Sequence, residues 1–316
     1  MKKLDETEII KIFQKGLGNK KFESEDVEIL NFDKIKIVAK TDTLVESTDI
    51  PSKMNLLDAA RKSIVACVSD FASKGVKPKY LMISVNLPDT MSRPKINEIV
   101  SGFKKTCKEF DILFLGGDTN GGKELVFNVC LFGITDKIVT RKDSKKGDLI
   151  FVTGPFGYTS VGLSMLLDKK RGSKSLVKKA INSVTNPKPR LEFGLKNKKY
   201  FSSSMDSSDG LSTTLNEMSK QSKKKFVIEN IPCLKDLKEF SKDFKLNLND
   251  IVFNGGEEYE FVFTTNPTNR NIIKKNAKLL KIPIIEIGYV SKGNGVFVHK
   301  ESKLIRLKDL GWKHLS

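Results

Sequence analysis

The residues best suited to chemistry in this chain are aspartates. Asp26, Asp42, Asp70, Asp118, Asp206 and Asp209 each lie beside or close to an apolar run, and most have Ser, Thr or Gly as a neighbour. A carboxylate in such a place is costly to desolvate unless a cation meets it. Mg²⁺ is the natural candidate, because it takes hard oxygen ligands, keeps several waters and bridges a few carboxylates to substrate phosphates. Gly116 and Gly117, ahead of Asp118, would let the backbone approach a phosphate closely. Asp206 and Asp209 stand at the start of an expected helix. Asp209 or Ser208 is its candidate N-cap, and the same terminus suits an anion. Taken singly, each aspartate reads more readily as a cap or turn residue, and only convergence in space would make them a metal site. The chain has no GxxxxGK[ST] P-loop and no kinase HRD/DFG set, so nucleotide handling would need other parts. The four cysteines, at 67, 107, 130 and 233, form no CxxC pair, and there are only two histidines, which excludes an ordinary structural zinc site. Cys67 and Cys130 lie among apolar residues and are expected to be small buried hydrophobes.

These aspartates need elements to hold them. Periodicity predicts a helix over 6–17, strands over 27–30 and 35–39, and an amphipathic helix over 57–74 closed by Gly75. A strand over 80–87, a helix over 93–110, a strand over 112–115 running into Gly116-Gly117-Asp118, and a strand over 125–134 complete a sheet with two long helices. The polar stretch 136–147 reads as an inter-domain link. Beyond it, strands near 149–153, 201–205, 225–228, 260–263 and 284–290 alternate with helical segments, and Asn186-Pro187-Lys188-Pro189 breaks the helical region. The expected architecture is α/β (α+β), with an N-terminal domain over 1–137 and an α/β C-terminal domain over 147–316.

Length and charge narrow the function classes. A chain of 316 residues is long enough for about two domains with real cores. Its composition, 39% hydrophobic and 30% charged, excludes a disordered or collagen-like chain. No apolar run approaches the roughly 18 residues of a membrane helix. The Met1-Lys2-Lys3-Leu4-Asp5-Glu6 start lacks a signal-peptide core. The expectation is a soluble, cytoplasmic protein without a membrane partner. The net charge of +18 invites a nucleic-acid reading, but only seven of the 56 basic residues are Arg and no recognition motif occurs. A solvated lysine surface, with a lean toward anionic small substrates, is the expected meaning.

Read in order, the motifs resemble the thiamine-monophosphate kinase family, of the superfamily shared with aminoimidazole ribonucleotide synthetase and selenophosphate synthetase. The matching pieces are Glu25-Asp26-Val27, Thr41-Asp42-Thr43-Leu44-Val45-Glu46, Ser69-Asp70-Phe71-Ala72-Ser73-Lys74-Gly75-Val76-Lys77-Pro78 and Leu115-Gly116-Gly117-Asp118-Thr119. Later come Gly147-Asp148-Leu149-Ile150-Phe151-Val152-Thr153-Gly154, Asp206-Ser207-Ser208-Asp209-Gly210-Leu211, Gly255-Gly256-Glu257-Glu258-Tyr259-Glu260 and Gly311-Trp312. They span nearly the whole chain.

The resemblance implies a homodimer whose N-terminal domains share an intersubunit β-barrel, and ATP-dependent phosphorylation of thiamine monophosphate to thiamine diphosphate with several Mg²⁺ ions. By that likeness Asp26, Asp42, Asp70, Asp118 and Asp206 hold Mg²⁺, helped by Thr41 and the backbone of Lys40. Gly117, Asp118, Arg141 and Ser208 touch ATP, and Asp209 binds a further Mg²⁺ near the transferred group. Arg141 would offer a planar fork to a phosphate. Glu257 and Trp312 contact thiamine, the latter through its ring face. The chain departs from the family pattern at several points. Glu25-Asp26 replaces Asp-Asp, Asp49 stands where a substrate-binding His is usual, Cys67 replaces an Asn, and Gly-Gly-Glu-Glu replaces Gly-Gly-Glu-Asp. Asp49 is carried as a candidate substrate residue.

Other readings are another ATP-dependent enzyme of the superfamily, a basic nucleic-acid binder on the same fold, and a degenerate regulatory homologue. The chain has no Cys before Cys67, which disfavours a selenophosphate synthetase. It ends His314-Leu315-Ser316, without the reactive Cys of the hydrogenase-maturation member. The purine-pathway members would lack the Asp-x-Ser-Asp-Gly-Leu and Gly-Gly-Glu-x-Tyr-Glu pair in this form. The intact Asp42, Asp70, Asp118 and Asp206 argue against a degenerate chain.

Overall fold

The computed structural model describes residues 6–18, 24–167 and 172–313. The Met1–Asp5 stretch and the closing His314-Leu315-Ser316, used above, lie outside the described residues.

The first sheet contains β1 (Glu28–Phe32), β2 (Ile35–Val45), β3 (Pro78–Pro88), β4 (Leu113–Gly122) and β5 (Val126–Thr135), in the order β1-β2-β5-β3-β4. Its pairs are antiparallel except β3–β4. A parallel pair needs a crossover, and α4 (Arg93–Phe110) supplies it. This helix has Pro94 in its first turn and a left-handed Asp111 at its end. The other helices of this half are α1 (Glu6–Gly16), the single turn α2 (Glu46–Asp49) and α3 (Leu56–Lys74). The start of α3 is set by Asn55, whose side chain accepts the Asp58 N–H at 2.7 Å.

The second sheet contains β6 (Leu149–Val152), β7 (Ser203–Asp206), β8 (Lys225–Ile228), β9 (Phe261–Thr265), β10 (Ile285–Ser291), β11 (Gly295–Lys300) and β12 (Lys303–Arg306), in the order β12-β11-β8-β10-β6-β9-β7. Only β8–β11 is parallel. The helices are α5 (Tyr158–Leu167), α6 (Lys174–Thr185), α7 (Leu191–Asn197), α8 (Leu211–Ser222), α9 (Lys235–Asp243), α10 (Leu248–Phe253) and α11 (Arg270–Leu279). The fold is mixed α/β, and among the described residues neither sheet closes on itself.

The helix α3 is the axle of the molecule. It packs on β2 and β5 of one sheet and on β7, β9 and α7 of the other half. Phe71, Val129 and Leu131 share one core cluster with Phe151, Phe193, Phe261 and Phe263. The sequence predicted an amphipathic helix here, but α3 is buried round its circumference, including Lys62, Ser69, Asp70, Ser73 and Lys74. Its polar stripe faces other parts of the protein and not water. No helix among the described residues is long and apolar enough to cross a membrane.

Three other expectations change. Gly116-Gly117-Asp118 lies inside β4 and not at a strand end. A Cβ on Gly117 would come 1.6 Å from the Ile83 carbonyl oxygen, so close approach of β3 demands the glycine there. The 136–147 stretch, expected as the link between the domains, is partly buried. Ile138 and Val139 belong to the shared core, and Arg141 and Ser144 are buried. The hairpin β11–β12 was not anticipated.

Candidate active site

Three aspartates meet in the seam between the sheets. Asp26 arrives on the segment ahead of β1, Asp70 on α3 and Asp206 at the end of β7. Each is at most 4% exposed. Each offers a carboxylate oxygen, and these oxygens all lie within 4.8 Å of one another. One helical turn beyond Asp70, Ser73 donates to Asp26 Oδ2 at 3.1 Å. Lys74 Nζ lies 2.7 Å from Asp26 Oδ2 and 2.5 Å from Glu25 Oε1, and donates to the Ser204 carbonyl at 2.7 Å. Residues four apart on a helix share a face, so the Asp70–Lys74 spacing delivers both groups to one place.

Register decides which strand residues join them. Asp42 pairs across β2–β5 with Val129, which in turn faces Ile83, and both partners are buried. Lys40 pairs with Leu131, also buried. Residues two apart share a face, so Lys40 and Asp42 point to the α3 side. Lys40 Nζ lies 3.0 Å from Asp70 Oδ2. Thr41 belongs to the opposite face, as does Asp118, which pairs with Ser84 and is exposed on the edge strand β4. Within one chain, therefore, Asp26, Asp70 and Asp206 cluster with Lys40 and Asp42 beside them, while Thr41 and Asp118 stand on the outer face.

The electrostatics follow from burial. Burial acts to raise the Asp26 carboxyl, but the Arg141 guanidinium and the Lys74 ammonium outweigh it and hold Asp26 below the usual carboxylate range. Asp70 is pushed up to about 7 by burial, against the pull of Lys40 and with the charges of Asp26 and Asp42 adding to the rise. Burial and the charges of Asp70 and Asp26 push Asp206 well above its ordinary value. Buried carboxylates that repel one another in this way are a hard-oxygen donor set that fits Mg²⁺.

The fork of Arg141 is occupied by the protein. Its Nε donates to Asp26 Oδ1 at 2.9 Å, one terminal nitrogen also bonds Asp26, and the other donates to Ser24 Oγ at 3.0 Å. The expected open fork for a phosphate is thus spent on holding the 24–26 segment.

From Asp206 the chain runs through a loop that gathers the remaining candidates. The Glu257 N–H donates to the Ser208 carbonyl at 2.6 Å, and the Trp312 N–H donates to the Asp209 carbonyl at 2.8 Å. The Ser207 hydroxyl is buried without a hydrogen-bond partner. The α8 N-cap is Gly210, at φ 110°, and not Asp209 or Ser208. Only glycine holds that backbone angle cheaply. Glu257 and Tyr259 also adopt left-handed backbone, at φ 61° and 50°. Trp312 is 59% exposed. Asp49 is engaged locally, its Oδ2 accepting the Val45 N–H at 2.7 Å.

Sequence reasoning missed Lys62, Lys74 and the Glu258–Glu260 pair. Arg190 forms an ion pair with Glu260, and Thr153 donates to Glu260 at 2.5 Å. Glu258 is buried, accepts the Gly157 N–H at 2.5 Å, and is pushed by burial from an ordinary 4.5 up to about 7. A raised carboxyl stabilises the fold fully below its unfolded value, and that contribution is lost as pH rises through the folded one. Glu258→Gln should therefore match the parent near pH 4.5 and exceed it by about 2–3 kcal/mol at pH 8. Denaturant melts at the two pH values test this, and a pH-independent difference would refute it.

Comparison with known proteins agrees with this geometry. Residues 24–135, which hold the first sheet and α3, match the family model described as "AIR synthase related protein, N-terminal domain". The first sheet and α3 are thus of the AIR-synthase-related N-terminal class. Over 99% of both chains, the protein is 65% identical to a thiamine-monophosphate kinase of Nitrosopumilus maritimus (strain SCM1). It is 32% identical to one of Pyrococcus horikoshii, over 100% of this chain and 97% of the relative. The chain belongs to the thiamine-monophosphate kinase family. Among solved structures, AaThiL complexed with AMPPCP and TMP superposes with a TM-score of 0.86 at 28% identity, covering 98% of this chain and 97% of that one.

Proposed function

We propose that this protein transfers the γ-phosphoryl group of ATP to the phosphate oxygen of thiamine monophosphate, releasing ADP and thiamine diphosphate. One P–O bond to the ADP leaving group breaks and one to the acceptor phosphate forms. The observation that carries this is the continuity between the buried Asp26–Asp70–Asp206 cluster and the loop that touches Glu257 and Trp312. A phosphate-binding end and an acceptor-binding end are joined by the four residues 206–209. The solved relative that holds both a nucleotide analogue and TMP supports the same pairing.

The task is to align two polyanions and neutralise their charge. Asp26, Asp42, Asp70 and Asp206 are the residues that would hold Mg²⁺, with Asp209 and the Lys40 backbone serving a further ion, while Thr41 and Asp118 would serve ions on the outer face of the sheet. When bound, Mg²⁺ supplies the charge neutralisation that lets the two phosphates meet. Gly117, Asp118 and Ser208 serve the nucleotide. Arg141 acts through Asp26 and Ser24, keeping that segment in place. Glu257 and Trp312 receive the thiamine moiety. The acceptor oxygen is already ionised, so no strong general base is needed.

Residues 1–137 and 147–316 act as the two domains of this site, and two chains form the working unit. The outer face of the first sheet exposes Phe32, Leu113, Met82 and Ile134, an apolar surface on a sheet with open edges. Thr41 and Asp118 lie on that same face, so pairing two such sheets into an intersubunit barrel would bring them into an enclosed site.

The test is incubation of the protein with ATP and Mg²⁺ against thiamine monophosphate, thiamine and an aminoimidazole precursor. Thiamine diphosphate should form only from thiamine monophosphate, and EDTA should stop it. No turnover of thiamine monophosphate would overturn the proposal.

A further inference from the structure

We infer that Lys62 is a positioning residue for the acceptor: its buried ammonium fixes the Glu257 carboxylate and the end of α2 as one wall of the pocket that takes thiamine monophosphate. The inference rests on the acceptor reading given above for Glu257.

Lys62 lies on α3 and its side chain is 0% exposed. Its Nζ is 2.5 Å from Glu257 Oε1 and donates to the Asp49 carbonyl at 2.8 Å. It thereby ties the helix shared by both sheets to the 255–259 segment and to α2. Glu257 is held from the other side as well, through its N–H on the Ser208 carbonyl. Its side chain remains 33% exposed. The carboxylate is therefore gripped from its buried side and open on the other.

A buried ion pair of this kind is a weak stability device. Taking the Lys62 ammonium out of water is costly, and an apolar side chain of similar length often serves the fold as well. What the pair does supply is orientation. Glu257 sits on backbone at φ 61°, where a non-glycine residue is strained. A flexible carboxylate there would lose definition without its partner. Lys62 is not among the groups that bond Asp26, Asp70 or Asp206. Its influence should thus fall on the acceptor and not on the nucleotide.

The experiment compares steady-state kinetics of Lys62→Met, Lys62→Arg, Glu257→Gln and the double variants with the parent, after a thermal melt of each. Lys62→Met should raise the KM for thiamine monophosphate at least about tenfold, with the KM for ATP and kcat within about threefold of the parent. Lys62→Arg should recover part of the loss. In the Glu257→Gln background the Lys62 substitutions should add less than about twofold, because the group they orient is gone. Equal rises in both KM values, or full additivity in the double variants, would overturn the inference. If Lys62→Met does not fold, Lys62→Arg with and without Glu257→Gln gives the same comparison: no coupling overturns the inference, coupling confined to the acceptor KM sustains it. A parent that does not phosphorylate thiamine monophosphate would instead defeat the acceptor reading itself, and the two failures are distinguishable.

Discussion

Replacing Asp70 by Asn is expected to cut kcat about a thousandfold, about 4 kcal/mol of transition-state stabilisation, while the protein stays folded. The amide keeps the shape of the side chain but removes one of three carboxyl groups whose oxygens lie within 4.8 Å of one another. Asp70 is the group on which the cluster turns, since it stands on the helix common to both sheets and meets Lys40 at 3.0 Å. The loss should be paralleled by weaker divalent-ion binding, read by Mg²⁺ titration calorimetry. It should not be matched by a loss of fold, because burial already opposes the charged form of Asp70. Activity within about fivefold of the parent would remove the cluster from the mechanism.

Lys74→Met should have the largest effect on stability, about 3–5 kcal/mol, with a fall in Tm of roughly 10 °C. Lys74 is fully buried and meets Asp26, Glu25 and the Ser204 carbonyl at once. Deleting its charge leaves Asp26 with Arg141 and the neutral Ser73 hydroxyl in a buried site, and removes the Lys74 donor from the Ser204 carbonyl on β7. The damage is an uncompensated carboxylate more than a lost attraction. Adding Asp26→Asn to Lys74→Met should therefore recover part of the loss in denaturant melts. A single variant as stable as the parent, or a double variant worse than the single, would contradict this account.

The chain's local order was largely readable. The 93–110 helix and the 225–228 strand appear with the expected bounds, and most others lie within a few residues of them. Long stretches of consistent periodicity carry such information because each element is dictated by its own residues. The ordered motifs identified the family for the same reason. The errors cluster where a partner from far along the chain decides the outcome. Ser73 and Lys74 carry no local sign that Asp26 and β7 are set against them. Gly117 carries no local sign of the close approach of β3, whose Ile83 carbonyl oxygen would lie 1.6 Å from a Cβ there. Arg141 looks like a free fork until Asp26 and Ser24 occupy it.

By itself the sequence determined the residue types available for chemistry, the elements that carry them, and the family. Tertiary structure alone decided which aspartates meet. Strand alternation sends Lys40 and Asp42 to one face of the sheet and Thr41 and Asp118 to the other. That division depends on pairing register with β5 and β3, which no local stretch of sequence encodes. Tertiary structure also decided the charge of the seam, because a carboxylate's protonation is set by how much water it has lost and which ammonium stands beside it, and both are properties of residues remote in the chain.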